Sequence, residues 1–415
     1  MRSAGGAEVP LVVAGRALRG FADGFVSVLL AQYLIGLGFS PVEVGAIVTG
    51  TLLGSAALTL AFGLTAHRLA LRTLLLSASV VMAATGAGFA VVTTFWPLLV
   101  VAVLGTLNPS AGDVSVFLPT EQAVLADAVG PGDRPRTFAH YNLAGTIAGA
   151  FGALCSGLPH LLSNSFDWSL LATQRWGFVF YALVGVVIGI LYRGLGRPST
   201  SEDASRARTS RGALGSSKRT VLELSALFSL DSAGSGFVVT SLLVLWLHLR
   251  FGLSAAATGT VFFAAGLLGG CSQLLAPVLA KRIGLIRTMV FTHIPANILL
   301  ALAAFAPSGP VAIGLLLVRA LFAQMDSPAR QSFVMAVVPP EERAAASSVT
   351  NVPRSLASAA TPLLAGTLLA HSSFGWPLVI AGVTKITYDV LLLVLFRDMP
   401  EEVGSSRSPR RSLTA

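Results

Sequence analysis

Charge is scarce in this chain. Asp, Glu, Lys and Arg together make up 11% of the 415 residues while 54% are hydrophobic, an imbalance that no water-soluble domain of this length could hide in one core. With a mean hydropathy of +0.76, the solvent must be lipid. Cysteine is rarer still. Cys155 and Cys271 lie inside apolar runs, and without a C-x-x-C or a pair in a loop neither a disulfide framework nor a zinc site is indicated. There is no G-x-x-x-x-G-K-[ST] loop, no H-E-x-x-H and no G-x-S-x-G, so nothing points to ATP hydrolysis, a zinc peptidase or a serine hydrolase. No cofactor, metal or enzymatic activity is expected, and any pumping would draw on an ion gradient, most simply protons.

What is present is a series of long apolar runs. A spanning helix needs roughly 20 mainly apolar residues. Gly, Pro and charge clusters divide the chain into twelve such runs, at roughly 16–38, 43–65, 71–93, 96–120, 137–160, 175–195, 222–248, 254–281, 286–306, 310–337, 345–370 and 375–397. The fourth and tenth are overlong and contain Pro109, Pro119 and Pro328, which predicts kinks. No short apolar region with a cleavage site precedes the first run, so the first span is expected to do the targeting.

The basic residues set the orientation. The N-terminal tail, the even-numbered connections and the C-terminal tail hold nearly all of them, including Arg68, Arg72, Arg134, Arg136, Arg282 and Arg287, whereas the odd-numbered connections hold only Arg175 and Arg250. By the positive-inside rule both termini are cytoplasmic. The net charge of +9 then speaks for anionic lipid headgroups and not for nucleic acid. Arginine far outnumbers lysine (Lys218, Lys281 and Lys385 only) in an Ala- and Gly-rich chain, a composition that hints at a GC-rich bacterial genome. A monomer in the cytoplasmic (inner) membrane is expected.

One stretch occurs twice. PTEQAVLADAVGPGDRPRTFAHYN from Pro119 and PARQSFVMAVVPPEERAAASSVTN from Pro328 superpose without a gap at a shift of 209 residues (328 minus 119), which sets Gln122 on Gln331, Pro131 on Pro340, Arg134 on Arg343 and Asn142 on Asn351. Gly38, Ser40 and Gly45 likewise match Gly252, Ser254 and Gly259 at a shift of 214 (252 minus 38). A period of about half the chain marks a duplicated unit and not a solenoid. Six spans separate equivalent positions, so the halves share one orientation and are related by an axis along the membrane normal. The expected organisation is an N-terminal bundle over 1–195, a Ser/Arg-rich cytoplasmic linker over 196–221 too poor in apolar residues to fold, a C-terminal bundle over 222–397 and a tail over 398–415.

Two parallel six-helix halves, a charged central linker and a basic loop after spans two and eight resemble the major facilitator superfamily over the whole chain. The loop residues Gly63, Ala66, Arg68 and Arg72, with Ala280, Arg282 and Gly284 in the second copy, carry the likeness. His67 and Lys281 stand where the family has Asp, and Ala70 replaces a Gly, so the carboxylate of that family's loop latch is missing. Gly145-x-x-x-Gly149 is similar to the family's antiporter signature, with Ala150 in place of Pro; small-x-x-x-small is mostly helix packing. The resemblance implies an all-α membrane protein of twelve transmembrane helices in two pseudo-symmetric six-helix bundles, with spans one, four, seven and ten around a central cavity. It implies secondary active transport of a small solute by alternating access. Proton-coupled efflux of an organic or amphipathic compound is the first reading, and uptake by symport of a small, anionic solute is the alternative. From another class, a non-transporting membrane sensor or an intramembrane transferase is the rival.

Charged groups in a bilayer need a partner, a cavity or a task. Asp23, Asp113, Asp231 and Asp326 fall on spans one, four, seven and ten, Arg319 near the midplane of span ten, and Arg354 on span eleven. Three readings stay open for them: structural ion pairs, gate contacts made when the cytoplasmic side is shut, and substrate or proton sites. Arg19, one turn from Asp23, could neutralise it, and Lys385 could neutralise Asp389 in the same way. Asn142 and Asn351 recur at matched places and could bond between helices or polarise the cavity. The shift of 209 also sets Glu121 against Arg330, opposite charges at matched positions, and the expectation is that they lock the halves together on the cytoplasmic face, with Arg68, Arg72, Arg282 and Arg354 as further gate residues. Glu43 reads as the far end of a capping box begun by Ser40, and His293 as a packed, hydrogen-bonded residue.

The orientation has a direct check. A fluorescent protein fused to the C-terminus is expected to mature in the cytoplasm and give full fluorescence, whereas a dark fusion, with active phosphatase at the same position, would reverse the orientation.

Overall fold

In lipid a backbone must satisfy its own polar groups, so apolar runs of this length are helices. The computed structural model describes residues 8–65, 70–110, 116–129, 134–195, 217–338 and 343–397. The first half contains α1 (Glu8–Gly36), α2 (Pro41–Thr65), α3 (Leu71–Val91), α4 (Phe95–Leu104), α5 (Phe117–Ala128), α6 (Arg134–Cys155), α7 (Leu158–Phe166) and α8 (Leu170–Arg193). The second contains α9 (Lys218–Phe237), α10 (Thr240–Phe251), α11 (Ala255–Ile283), α12 (Leu285–Ala303), α13 (Gly309–Ala323), α14 (Asp326–Val337), α15 (Arg343–His371) and α16 (Trp376–Phe396). Among the described residues nine helical runs are long and apolar enough to cross a membrane, with α6–α7 and α9–α10 each counted as one. The α4–α5 pair, the α13–α14 pair and the more polar α15 complete twelve spans (nine plus three).

The overlong fourth and tenth runs are broken as their prolines require. The fourth parts between α4 and α5 around Pro109, and Pro119 sits in the first turn of α5, where its missing N–H does no harm. The tenth parts at Gln324 and Met325, and Pro328 falls in the first turn of α14. Two features were not anticipated from sequence. Span seven is interrupted at Val238 and Val239, after the poor helix-former run Gly234-Ser235-Gly236, and the short α7 stands apart from α6. Helix α9 begins at Lys218, inside the expected linker.

The repeat reappears as matched geometry. Spans one and seven both end on a glycine in the left-handed region, Gly38 at φ 89° and Gly252 at φ 67°, and each is followed by a serine that starts the next helix. Ser40 and Glu43 form the expected capping box, with Glu43 Oε2 accepting from the Ser40 N–H at 2.8 Å and the Glu43 N–H reaching Ser40 Oγ at 3.3 Å; Ser254 Oγ accepts from the Ala257 N–H at 3.3 Å. Within the first half α1 packs on α6 and α3 on α8, and within the second α9 packs on α15 and α12 on α16. These are the same pairings one repeat apart.

The halves meet mainly through α2 on α15, α6 on α11 and α1 on α10. The contacts that join them cluster toward one end. Thr49 Oγ1 accepts from the Leu363 N–H at 2.9 Å, and Ser241 Oγ donates to the Ser27 carbonyl at 2.6 Å and to the Pro109 carbonyl at 3.1 Å. Small residues let these backbones approach: a Cβ added to Gly366 would lie 3.0 Å from Gly45 Cα, and one added to Gly259 would lie 2.5 Å from the Ala153 carbonyl oxygen. All these residues come from the first part of α2 and α11, the later part of α1, α6 and α15, or the span breaks. At the opposite, arginine-rich end, among the described residues, the main neighbours of α5 are α1, α2, α3 and α6 and those of α14 are α11, α12 and α15, all within the same half. Among the described residues the molecule is shut at one end and parted at the other.

The crossing makes a stability prediction. Gly366→Ala is expected to push α2 off α15 at a cost of about 1–3 kcal/mol, read as a lowered melting temperature in detergent. Gly314→Ala, at a glycine with nothing within 4 Å of an added Cβ, serves as the control; equal melting of the two variants would remove the claim that this approach closes the end.

Candidate functional site

Lipid-embedded charge gathers in two places, one in each half. In the first, Arg19 of α1 and Glu121 of α5 form a two-pronged ion pair, with Arg19 Nη2 donating to Glu121 Oε2 at 2.8 Å and Nη1 donating to Oε1. The hydroxyls of Tyr141 on α6 and Tyr192 on α8 also donate to this carboxylate. Glu121 is thereby satisfied from three other helices while 0% exposed. The Arg19 guanidinium lies 4.7 Å from the Phe117 ring centroid, and that of Arg16 lies 5.4 Å from the Tyr141 ring, in a space kept open by Gly145, whose Cβ would fall 2.8 Å from Arg16 Cζ. Asp23 is buried one turn above, its Oδ1 3.5 Å from the Tyr181 hydroxyl. Arg19 therefore spends its fork on Glu121 and not on Asp23.

The second cluster is larger. Asp231 of α9 accepts from Lys385 Nζ of α16 at 2.8 Å and from Arg330 Nη1 of α14 at 2.9 Å. Arg330 Nη2 lies 3.5 Å from Asp326 Oδ2. His293 of α12 stands between two acids, its Nδ1 2.9 Å from Asp389 Oδ1 and its Nε2 3.8 Å from Asp231 Oδ1. Asn297 Nδ2 donates to Asp389 Oδ2 at 3.3 Å. All of these side chains are buried.

Two sequence expectations change here. Glu121 and Arg330 do not face each other across the halves: in this conformation each is tied within its own half, because a carboxylate or guanidinium out of water takes the nearest complete set of partners. Lys385 and Asp389, although one turn apart, turn to Asp231 and His293 instead. The other candidates scatter. Arg354 donates from Nε to Ser232 Oγ at 3.1 Å and from Nη1 to Asn351 Oδ1 at 3.4 Å. Arg319 lies on the face of α13 that carries buried Ala312, Leu316 and Ala320, and its Nε has no hydrogen-bond partner among the described residues. Asn142 and Asn351 are exposed, Arg282 is exposed and Arg72 half-buried. Asp113 and Arg68 lie outside the described residues. At the shut end a cavity of about 220 Å³, lined by Gln32, Ser156, His160, Gln174, His248 and Ser254 among others, straddles both halves.

The sequence matches the profile of the Major Facilitator Superfamily over residues 12–322 and 294–414. The chain belongs to the major facilitator superfamily. This transporter is 24% identical over 425 residues to the Saccharomyces cerevisiae protein called "Uncharacterized membrane protein YJR124C", with 94% of each chain covered. Its fold is that of the D-xylose-proton symporter (TM-score 0.74, 14% identity, 96% of this chain and 98% of that one) and of the nucleoside transporter NupG (TM-score 0.70, 15% identity, 94% and 99%).

The tyrosines and the His293, Asn297, Lys385 and Asp389 group escaped sequence reasoning as a site. One signal was available: His293 and Asn297, and Lys385 and Asp389, are polar pairs one helical turn apart in runs otherwise apolar. The first cluster predicts strong coupling. Glu121→Gln or Arg19→Met alone is expected to cost about 3–5 kcal/mol by stranding a buried charge, while the double variant recovers most of the loss. Additive losses in thermal unfolding would show that the pair does not act as a unit.

Proposed function

We propose that this superfamily member is a proton-coupled secondary transporter that moves a small organic or amphipathic solute out of the cell by alternating access. The observation that carries the reading is the geometry of the halves, joined at one end by small-residue crossings and parted at the other. Two alike bundles meeting at a pseudo-symmetry axis have near-equal ways to close on either side, and cargo and protons bias between them. With the arginine-rich end in the cytoplasm against anionic headgroups, the parted end faces inward, toward cargo awaiting export. The solved structure of a proton symporter with this fold supports a proton as the coupling ion. The acids of the two clusters are engaged by protein partners, which favours a cargo that does not need a free carboxylate to bind it. Protein acting as a monomer suffices for this cycle, since each half supplies one wall.

A specific observation supports a second direction. Arg319, a guanidinium with an unmatched Nε near mid-span, suits an anionic solute taken up with protons. In that case Arg319→Gln would lower transport of organic anions by about 10- to 100-fold, the worth of a charge-assisted hydrogen bond.

Proteoliposomes loaded with a pH dye and given an imposed proton gradient test both. Export predicts that lipophilic organic cations such as ethidium move against the proton flow in vesicles that expose the arginine-rich end. Uptake predicts co-movement of organic anions. Absence of gradient-driven flux or counterflow across a broad panel of both would sink the transporter reading and revive a sensor or transferase.

A further inference from the structure

We infer that the cavity at the shut end is a binding site for a small uncharged carboxamide, and that its occupant clamps the two halves together there. The inference is independent of the direction of transport and of the coupling ion.

The duplication gives this hollow a reference, because a place in one half has a counterpart in the other. At the shift of 214, Gln32 falls on Trp246 and Leu34 on His248 (246 minus 32; 248 minus 34), and at the shift of 209, Ser156 falls on Ala365 (365 minus 156). Gln32, Ser156 and His248 line the cavity. The repeat-related place holds Trp246, Ala365 and Leu34, all 0% exposed. There the Trp246 indole takes up the space: it meets Phe251 edge-on with ring centroids 5.6 Å apart, and a Cβ added to Gly375 would lie 2.7 Å from its Nε1. The backbone differs at the same point. Helix α15 runs unbroken through Ala365 and Gly366 to His371, whereas α6 stops at Cys155 and α7 starts afresh at Leu158, bringing Pro159 and His160 to the cavity wall. A packing fault is lined by apolar groups; here polar side chains stand where the other copy has apolar ones, beside a break the other copy lacks.

The lining says what would fit. Among the described residues no carboxylate, lysine or arginine lines the cavity, so an ion would enter it desolvated and unpaired, at high cost. An uncharged solute would not. Hydrogen bonds of both senses are on offer. His248 Nδ1 lies 3.0 Å from the Leu253 carbonyl oxygen, so it carries a proton, and in the neutral ring Nε2 is left as an acceptor. Ser156 Oγ spends its proton on the Ala153 carbonyl at 2.6 Å and keeps its lone pairs, while Ser254 Oγ accepts from the Ala257 N–H at 3.3 Å and keeps its proton. Gln32 and Gln174 bring amides, and Gln32 Nε2 has no hydrogen-bond partner among the described residues. A primary carboxamide is the self-complement of a glutamine side chain, its N–H donating to the amide oxygen while its oxygen accepts from the amide nitrogen. Leu29, Pro159 and Leu170 supply apolar wall, and the volume of about 220 Å³ falls below the roughly 300 Å³ at which sites for drug-sized ligands begin. A carboxamide on a small apolar frame meets all of these conditions. Gln32, Ser156, His160 and Gln174 belong to the first half and His248 and Ser254 to the second, so the occupant bridges the seam. Parting this end pulls one set of groups away, and binding therefore favours the shut arrangement.

The test uses full-length protein in lipid nanodiscs, melted in rising concentrations of acetamide, nicotinamide or benzamide, with benzoate and benzylammonium as charged counterparts. The amides, and neither ion, are expected to raise the melting temperature in a saturable way. Gln32→Trp, which installs the side chain that the second half carries at the matched position, is expected to fold and to lose the response. Gln174→Leu, which leaves the cavity its size, is expected to weaken binding about 3- to 10-fold, and it decides alone if Gln32→Trp does not fold. Spin labels at Asn164→Cys and Ser308→Cys, with Cys155 and Cys271 changed to Ser, report the distance between the halves at this end. In the Gly366→Ala background, whose crossing is loosened, benzamide is expected to restore the shorter distance. No response to any amide, an equal response to the charged counterparts, or a response unchanged by the glutamine variants overturns the site. Saturable binding with an unmoved distance overturns the clamp. None of these readouts depends on flux, so they stand or fall apart from the transport reading.

Discussion

Among the described residues the buried ion pairs all close within one half of the molecule. Arg19 with Glu121 ties span one to span four, and Asp231 with Arg330 ties span seven to span ten. Such pairs add little net attraction once desolvation is counted, yet breaking one strands a charge at a cost of about 3–5 kcal/mol. They therefore act as fasteners that hold each bundle to one internal arrangement. Each half moves, if it moves, as one body, and the rest of the architecture follows from that.

The seam between the halves is built from different material. It consists of small residues in close approach, such as Gly45 with Gly366 and Gly259 with Ala153, and of neutral hydrogen bonds donated by Thr240 and Ser241 and accepted by Thr49. Association in lipid relies on van der Waals fit and hydrogen bonds worth on the order of 0.6 kcal/mol each. Parting this end strands no charge. A molecule whose expensive contacts lie inside its bodies and whose cheap contacts lie between them has a low-energy mode of motion, the opening of the seam.

Much of this was legible in the sequence. Composition dictated the solvent, periodicity of about half the chain dictated two alike bundles, and Gly38 and Gly252 marked matched turns that the backbone realises as left-handed caps. The candidate site was only partly readable. Asp23, Asp231, Asp326 and Arg330 stood out because charge in an apolar run is conspicuous, but their partners did not follow from spacing. Lys385 and Asp389 are one turn apart, and linear reasoning pairs them. In the fold the α16 surface meets α9 and α12, and a carboxylate from another helix offers Lys385 a better-shielded contact at 2.8 Å. Tyr141 and Tyr192 were invisible for the opposite reason: a tyrosine in a span is unremarkable until a carboxylate arrives beside its hydroxyl. Helix-on-helix rotation, which no local pattern encodes, decided each of these.

The duplication also kept position while exchanging sign. In the first half the fourth span carries the acid and the first span the arginine; in the second half the tenth span carries the arginine and the seventh the acid. Either arrangement fastens two wall helices equally well, so the exchange leaves the fold untouched. Its electrical surroundings differ. The first pair sits among tyrosines, neutral groups that donate hydrogen bonds and hold the charge fixed, while the second sits among Lys385, His293 and Asp389, side chains that are themselves ionisable. Two bundles of the same shape thus hold their wall helices by different means: loss of a tyrosine from the first removes a neutral donor, whereas loss of Lys385 from the second leaves a buried carboxylate short of a cation.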